Sequence, residues 1–558
     1  MKDYELTLQV MLDRAVSQFG HKEIVSEEAD GTTHRYTYNE AADRMAQLAN
    51  ALDELGLEMG SRASVMAINH HRHYELYFGL SCSGRSIHMT NHMLPDEHIV
   101  EIVNEAEDEV VFVDPAFVET VENVADQFET VEHYVVLDDE VPETDLEPVQ
   151  SYEDLLDGHE TDYEWPDIDE EREAGICYTS GTTGLPKGVA YTHRNIYLHT
   201  LTHSHIDVFK ISENDAVMPV VPMYHVNGWG LPYTATFCGS KLVLPGPKTD
   251  SEQIAELIDR EGVTITAAVP TVWREMASFY DEREDIELES LDRVLTGGSS
   301  PPEWLMEKFD KEIGAPIYQG YGMTEAAPNL VNTMTTTEVK EELDESGQYQ
   351  QQMKPGLPAP GVQIRLRDQN GEEVPHDGES SGEIQARAPW LIDEYYERPA
   401  ATAESFTDDV PESEANGESE DASSKRWFKT GDIGTIDEYG YIEVVDRLDD
   451  IIKSGGEWIS SIELENELMA HDAVEEATVI SVEHEKWDER PVAYVVASAD
   501  DVTGDELRAH LRERYPKWWM PDKIVFVEEI PKTTTGKFNK KVLREDFDEE
   551  YDGLPLEE

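Results

Sequence analysis

Eleven consecutive positions, Tyr178-Thr179-Ser180-Gly181-Thr182-Thr183-Gly184-Leu185-Pro186-Lys187-Gly188, concentrate four Ser/Thr hydroxyls, three glycines and one lysine. Glycines let successive backbone N–H groups turn toward one ligand, hydroxyls add donors, and the lysine adds the charge that a polyphosphate needs. The P-loop of the NTPases is a poor fit, because it requires Gly-Lys-Ser/Thr, whereas Lys187 stands between Pro186 and Gly188. A Ser/Thr/Gly surface turn is the plainer reading. The charge context argues against it: residues 174–206 contain no Asp or Glu, in a chain where 120 of 558 residues are acidic. A stretch kept clear of acid in such a chain is expected to meet an anion. Two more acid-free stretches, 216–240 and 531–541, invite the same question.

Elements must position these residues. The apolar run ending Gly175-Ile176-Cys177 reads as a strand feeding the loop. Strand-and-glycine units then recur: 265–269 before Pro270-Thr271, 294–295 before Thr296-Gly297-Gly298-Ser299, and 317–318 before Gly320-Tyr321-Gly322. Buried strands ending in such loops, with helices between them, predict a parallel-type α/β sheet whose ligands bind beyond the strands' carboxyl ends. Upstream, an amphipathic helix, short strands near 33–38, a helix over 39–55, a strand over 63–68, a helix over 75–79 and a strand over 109–113 continue the alternation. Residues 362–384 turn to short strands with Asn370-Gly371 and Asp377-Gly378 turns, a β-rich subdomain. Residues 407–424, acidic and Ser-rich, read as a solvated loop insertion, with a regulatory acidic loop as the alternative. The expected division is a large N-terminal domain over 1–446, a junction at 447–450, and a small α+β domain over 451–558.

The loop at 178–188 resembles the phosphate-binding signature of the adenylate-forming superfamily, which includes acyl-CoA synthetases, luciferases and peptide-synthetase adenylation domains. The family's companion motifs follow in order over essentially the whole chain. The resemblance implies that Thr179, Ser180, Gly181, Thr182, Thr183 and Lys187 hold the phosphates of ATP. In Tyr318-Gln319-Gly320-Tyr321-Gly322-Met323-Thr324-Glu325, Tyr321 would pack on adenine, Thr324 would meet the α-phosphate, and Glu325, with Thr179, would hold Mg²⁺. Gly297-Gly298-Ser299 resembles the loop lying along the adenylate. Asp432 and Arg447 match the ribose-binding pair, and Asp449 matches the hinge about which the mobile C-terminal domain reorients. Lys453 joins the nucleotide set, and Gly455, Gly456, Glu457 and Trp458 approach coenzyme A. Lys537 matches the catalytic lysine.

The same resemblance bears on the acid. No Asp stands early in 216–240, where amino-acid-activating relatives need one, and Ala326-Ala327 follow Glu325 where acetate-specific relatives close the pocket with tryptophan. Residues 222–232 and 452–461 most resemble medium- and long-chain fatty-acid–CoA ligases. Met223, Val226, Trp229 and Tyr233 are expected to line an apolar acyl channel, with Trp229 as its gate or else as a plain core aromatic. His225, Trp229, Gly298 and Ala326 are the expected acyl-site residues, and His225 is a positioning group near the carboxylate. The implied activity is AMP-forming ligation of a fatty acid to coenzyme A through an acyl-adenylate. The alternatives are an aryl or short branched acid, a carrier-protein thiol as acceptor, or a non-catalytic nucleotide-binding protein.

Composition excludes other classes. With 43 Lys+Arg against 120 Asp+Glu, the formal net charge is -77. Concentrated salt screens such self-repulsion to within ~3 Å at 1 M, so a halophile's cytoplasmic enzyme is expected, and neither nucleic acid nor an anionic membrane is an expected partner. The acidic N-terminus and the lack of an ~18-residue apolar run predict neither leader nor membrane span. Cys82, Cys177 and Cys238 are read as small buried residues. His70-His71-Arg72-His73, in an expected turn, and the helical pair His199 and His203 lack the partners of a metal site. A homodimer is implied by the resemblance alone.

Overall fold

The computed structural model describes residues 4–179, 185–247, 249–283, 286, 288–368, 370–407, 426–454, 457–471, 473–484, 486–498, 502–532 and 538–551. They form two compact units. The larger holds the described residues through 179, 186–363 and 386–427, and the smaller holds 185, 364–385 and those from 428 onward.

Two sheets build the larger unit. The nine-stranded one runs, edge to edge, Leu357–Pro358, Asn329–Asn332, Ile317–Gly322, Arg293–Gly297, Ile265–Ala267, Ala216–Pro219, Lys241–Leu244, Glu23–Glu27 and Thr33–Thr37. Its six inner strands are parallel, with antiparallel strands at both edges. The seven-stranded one runs Val149–Ser151, His133–Val136, Asp108–Val113, Arg62–Met66, Ser86–Met89, Glu173–Tyr178 and Gly188–Thr192. All its neighbours are parallel except the last strand, which folds back on Glu173–Tyr178. A parallel sheet covered on both faces needs strands without a polar side. Arg293–Gly297 and Ile265–Ala267 are accordingly buried at every position. Val25, Met218, Val243, Val294 and Ile317 share one core with Trp273 and Phe309.

Local chemistry sets the helix starts. Thr37 and Glu40 form a reciprocal capping box before the helix Tyr38–Glu54, and Thr192 with Asn195 does the same before His193–His203. The turn expected at His70-His71-Arg72-His73 is a helix start instead. His70 caps the helix His71–Cys82, its Nδ1 accepting from the His73 backbone N–H while Nε2 bonds Asp114 Oδ1 at 2.7 Å. An imidazole thus takes the role that a short oxygen side chain usually fills, and the helix expected over 75–79 begins four residues earlier.

The smaller unit also carries two sheets. One runs Gln363–Arg367, Gly382–Arg387, Phe428–Ile436 and Ile442–Arg447. The other runs Glu457–Ile459, Ile452–Ser454, Asp488–Ala497 and Val474–His484, with Lys523–Phe526 also beside Asp488–Ala497. Leu464 and Leu468 of the helix Ser461–Met469 and Leu507 of Gly504–Leu511 close over Val479 and Val495. The chain is therefore α/β, with a large N-terminal part and a smaller α+β C-terminal part. Among the described residues no helix is long and apolar enough to cross a membrane.

Candidate functional site

The strands Glu173–Tyr178 and Gly188–Thr192 bracket the glycine/hydroxyl loop. Thr179 and Lys187 tie its neck: the Thr179 N–H donates to the Lys187 carbonyl at 3.0 Å, and the Lys187 N–H donates to Thr179 Oγ1 at 3.1 Å. The Tyr396 N–H donates to the Gly188 carbonyl at 2.9 Å. The Lys187 ammonium stands 4.9 Å from the centroid of the Tyr395 ring, and among the described residues no carboxylate pairs with it. Ser180, Gly181, Thr182 and Thr183 lie outside the described residues.

Across the nine-stranded sheet, Gly297 ends one strand opposite Gly320 of the next. A Cβ on Gly297 would stand 3.1 Å from the Gly320 carbonyl oxygen and 3.4 Å from the Trp229 indole, so the indole rests on bare backbone there. Gly298 and Ser299 follow, exposed. Gly322 is closer packed still, with room for a Cβ only 2.1 Å from the Pro328 carbonyl oxygen. Tyr321 and Thr324 are half-buried, and the Thr324 carbonyl accepts from the Tyr191 hydroxyl at 2.6 Å. Glu325 is 8% exposed, and its Oε1 accepts from the Tyr395 hydroxyl at 2.5 Å. Burial, and after it the Glu325 charge, pushes the Tyr395 phenol well above its ordinary pKa, so it remains a donor. Ala326 is fully buried. Three segments far apart in sequence thus converge: Lys187 lies against Tyr395, which bonds Glu325.

The acyl-site candidates sit on an unusual turn. Val226, Asn227, Gly228, Trp229 and Gly230 have φ of 41°, 61°, 56°, 53° and 71°. Left-handed backbone costs about 1–2 kcal/mol for each residue other than glycine, and three of the five are such residues. The turn is held by Asn227 Oδ1, which accepts from Cys177 Sγ at 3.7 Å, and by the Gly228 N–H, which donates to the His225 carbonyl at 3.1 Å. Strain of this kind persists where the surroundings over-determine it, as at binding sites. His225 is half-buried at the turn's start. Met223 and Tyr233 are fully buried: the Tyr77 hydroxyl donates to the Met223 carbonyl at 2.6 Å, and the Tyr233 ring packs 4.9 Å from that of Tyr77. Val226 is also buried. Trp229, one of the expected channel residues, reaches the strand end at Gly297.

In the smaller unit Asp432 and Arg447 are cross-strand partners, with Arg447 Nε 3.5 Å from Asp432 Oδ1. Asp449 is exposed, and its carbonyl accepts from Arg544, which also pairs with Asp450 at 2.6 Å. Lys453 is exposed and faces Trp458 across the hairpin. The Lys540 side chain is 11% exposed, 2.8 Å from Glu465 Oε1 and 2.6 Å from Ser461 Oγ. Desolvation lowers its pKa, but Glu465, Asp446 and Asp450 outweigh this and raise it, so the ammonium stays charged. Gly455, Gly456, Lys537 and the Glu457 side chain lie outside the described residues, as does 408–424.

Sequence reasoning missed Tyr395, Tyr396 and Tyr191. A Tyr-Tyr pair within Asp393-Glu394-Tyr395-Tyr396-Glu397 was the available signal, but nothing local shows that one ring reaches Glu325 seventy positions away. For a divalent cation the oxygen chemistry is suitable. Among the described residues no three His, Cys, Asp or Glu side chains gather into a cage. Mg²⁺ asks for less than a cage, because one or two carboxylates and substrate phosphates suffice, and Glu325 is a carboxylate that could serve.

Residues 12–396 match the AMP-binding enzyme family, and residues 463–537 match the AMP-binding enzyme C-terminal domain. A long-chain-fatty-acid–CoA ligase of Thermus thermophilus is 44% identical over 99% of this chain and 98% of its own. A 3-methylmercaptopropionyl-CoA ligase of Ruegeria lacuscaerulensis is 37% identical over 99% of both chains. A medium-chain-fatty-acid–CoA ligase of Ectopseudomonas oleovorans is 36% identical over 97% of this chain and 96% of its own. The fold matches that of ATP-bound MatB from Rhodopseudomonas palustris with a TM-score of 0.80 at 24% identity, over 98% of this chain and all of the other. The chain belongs to the AMP-binding enzyme family.

Proposed function

We propose that this enzyme joins a medium- or long-chain fatty acid to coenzyme A in two steps, through an acyl-adenylate. The observation that carries the reading is the convergence of Lys187, Tyr395 and Glu325 beside the loop neck at Thr179. A carboxylate is a poor electrophile and is repelled by a triphosphate. Each neutralising unit charge near 4 Å contributes ~1 to 4 kcal/mol, depending on the local dielectric, so several are needed. Lys187 and the donors over 179–183 hold the phosphates, and Lys537 reaches the carboxylate and α-phosphate. Glu325, with Thr179, would hold Mg²⁺, whose chemistry when bound is charge neutralisation on phosphate oxygens. The acid's oxygen attacks the α-phosphorus, pyrophosphate leaves, and a thiol then displaces AMP to give the thioester.

Tyr321 and the Gly297-Gly298-Ser299 loop receive the adenine and adenylate, Asp432 and Arg447 the ribose hydroxyls, together with Lys453. Residues 455–458 meet coenzyme A, with Asp449 the hinge between a domain over 1–446 and one over 451–558. The high identity to a long-chain ligase over the full chain supports an acyl chain at Trp229, with His225 and Ala326 near its carboxyl end. The short thioether acid named for the Ruegeria relative favours a second reading, a short acid in a closed pocket, which the buried Met223 and Tyr233 also suit. The evenly spread acid supports a cytoplasmic, salt-adapted protein, and the resemblance a homodimer.

The test is to supply Mg-ATP, coenzyme A and acids from acetate to palmitate, with benzoate, in molar KCl, and to follow pyrophosphate release and thiol loss together. Matched release peaking at a medium or long chain is expected. A peak at short acids would move the reading to the second one, and pyrophosphate without thiol loss would move the acceptor away from coenzyme A.

A further inference from the structure

We infer that Tyr395 is a positioning residue for the phosphate site, serving Glu325 through its hydroxyl and Lys187 through its ring. The inference rests on the reading of Glu325 as the metal-holding carboxylate. Three observations place Tyr395. Its hydroxyl donates to Glu325 Oε1 at 2.5 Å. Its ring lies under the Lys187 ammonium, 4.9 Å from the centroid. Its backbone is fixed on both sides: the Tyr395 N–H donates to Thr402 Oγ1 at 3.0 Å, and Tyr396 is anchored to the Gly188 carbonyl and to Arg62, whose Nη1 donates to the Tyr396 hydroxyl at 2.9 Å.

The physical consequence is a division of labour within one side chain. A carboxylate free to rotate presents either oxygen, singly or both together. With Oε1 accepting from a phenol donor, Glu325 is held in one orientation. Partners that orient a metal-holding group typically govern 10–100-fold of metal affinity or activity. The ring does the second task. A cation over an aromatic face is attracted without being neutralised, so Lys187 is steadied and its charge stays available to phosphate. In a chain with 120 acidic residues, an aromatic support avoids the carboxylate pairing that would compete with ATP.

The experiment compares Tyr395→Phe, Tyr395→Leu, Glu325→Gln and the double variant Tyr395→Phe/Glu325→Gln. It measures Mn²⁺ affinity in the presence of ATP by electron paramagnetic resonance, and the Mg²⁺ dependence of acid-dependent pyrophosphate–ATP exchange. Tyr395→Phe keeps the ring and should weaken Mn²⁺ and raise the half-saturating Mg²⁺ ~10–100-fold, with the KM for ATP at saturating Mg²⁺ little changed. Tyr395→Leu should raise that KM as well. In the Glu325→Gln background Tyr395→Phe should add nothing, since it acts through the missing carboxylate. Melting temperature shows whether each variant folds. A Tyr395→Phe protein with unaltered metal dependence while Glu325→Gln is impaired would overturn the inference, as would full additivity in the double variant. Unaltered metal dependence in Glu325→Gln itself would overturn the underlying reading of Glu325 instead.

Discussion

Two lysines of this acidic chain show how differently the same charge can be housed. Lys540, in the smaller unit, is sunk among Glu465, Asp446, Asp450 and Ser461, and every interaction it makes is already closed. Lys187, in the larger unit, has an aromatic face and no carboxylate among the described residues. A closed pair stiffens structure, whereas a charge supported but left unneutralised is ready for a ligand. Both lie in stretches free of acid in sequence, so local composition cannot tell them apart. The difference is made by what the fold brings across from elsewhere.

The comparison can be broken from its structural side first. Lys540→Met leaves Glu465 and Asp446 buried without their cation, which should cost about 3–5 kcal/mol. Denaturant unfolding would show this, with a much smaller loss of exchange activity under folding conditions. Lys187→Met should do the reverse: removing a preorganised electrostatic contact costs about 10²–10³-fold in rate, read as exchange activity, with the unfolding midpoint nearly unchanged. Equal stability losses in both variants would dissolve the contrast.

Trp229→Ala sharpens the account at the strained turn. If the indole bounds an acyl chain, the variant should shift the chain-length optimum toward longer acids, each CH₂ gained contributing ~0.8 kcal/mol. An unshifted profile measured as kcat/KM across the acid series would make Trp229 a core aromatic.

The smallest effect concerns pH. Burial holds His73 and His193 down to about 4 and His203 to about 3, with His71 and His199 also lowered by burial. The unfolded chain therefore takes up protons that the folded chain refuses. Stability should fall as pH drops from about 6.5, the ordinary histidine value, toward 4. His203→Gln should flatten that slope by a fraction of a proton in urea unfolding followed against pH, and an unchanged slope would contradict the assignment.

Much of this was legible because it was local. The strand-and-glycine units ending at Gly297 and Gly322, and the cross-strand pair Asp432 and Arg447, each stand on motifs read along the chain. Legibility failed where a distant partner decided. Asp114 turned His70 from a turn residue into a helix cap. Tyr395 takes its place through Glu325 and Lys187, and Lys540 through Glu465 and Ser461. The left-handed turn lies between: Asn227, Gly228 and Gly230 announce tolerance for positive φ, but Val226 and Trp229 adopt it only because the surrounding packing holds them there.

The most direct measurement is exchange of labelled pyrophosphate into ATP by the full chain in molar KCl, with a medium- or long-chain acid and without coenzyme A. The account predicts exchange that requires the acid and Mg²⁺ and proceeds without any thiol, because the adenylate forms first and reversibly. Exchange that appears only when coenzyme A is present, or none with any acid, would contradict it.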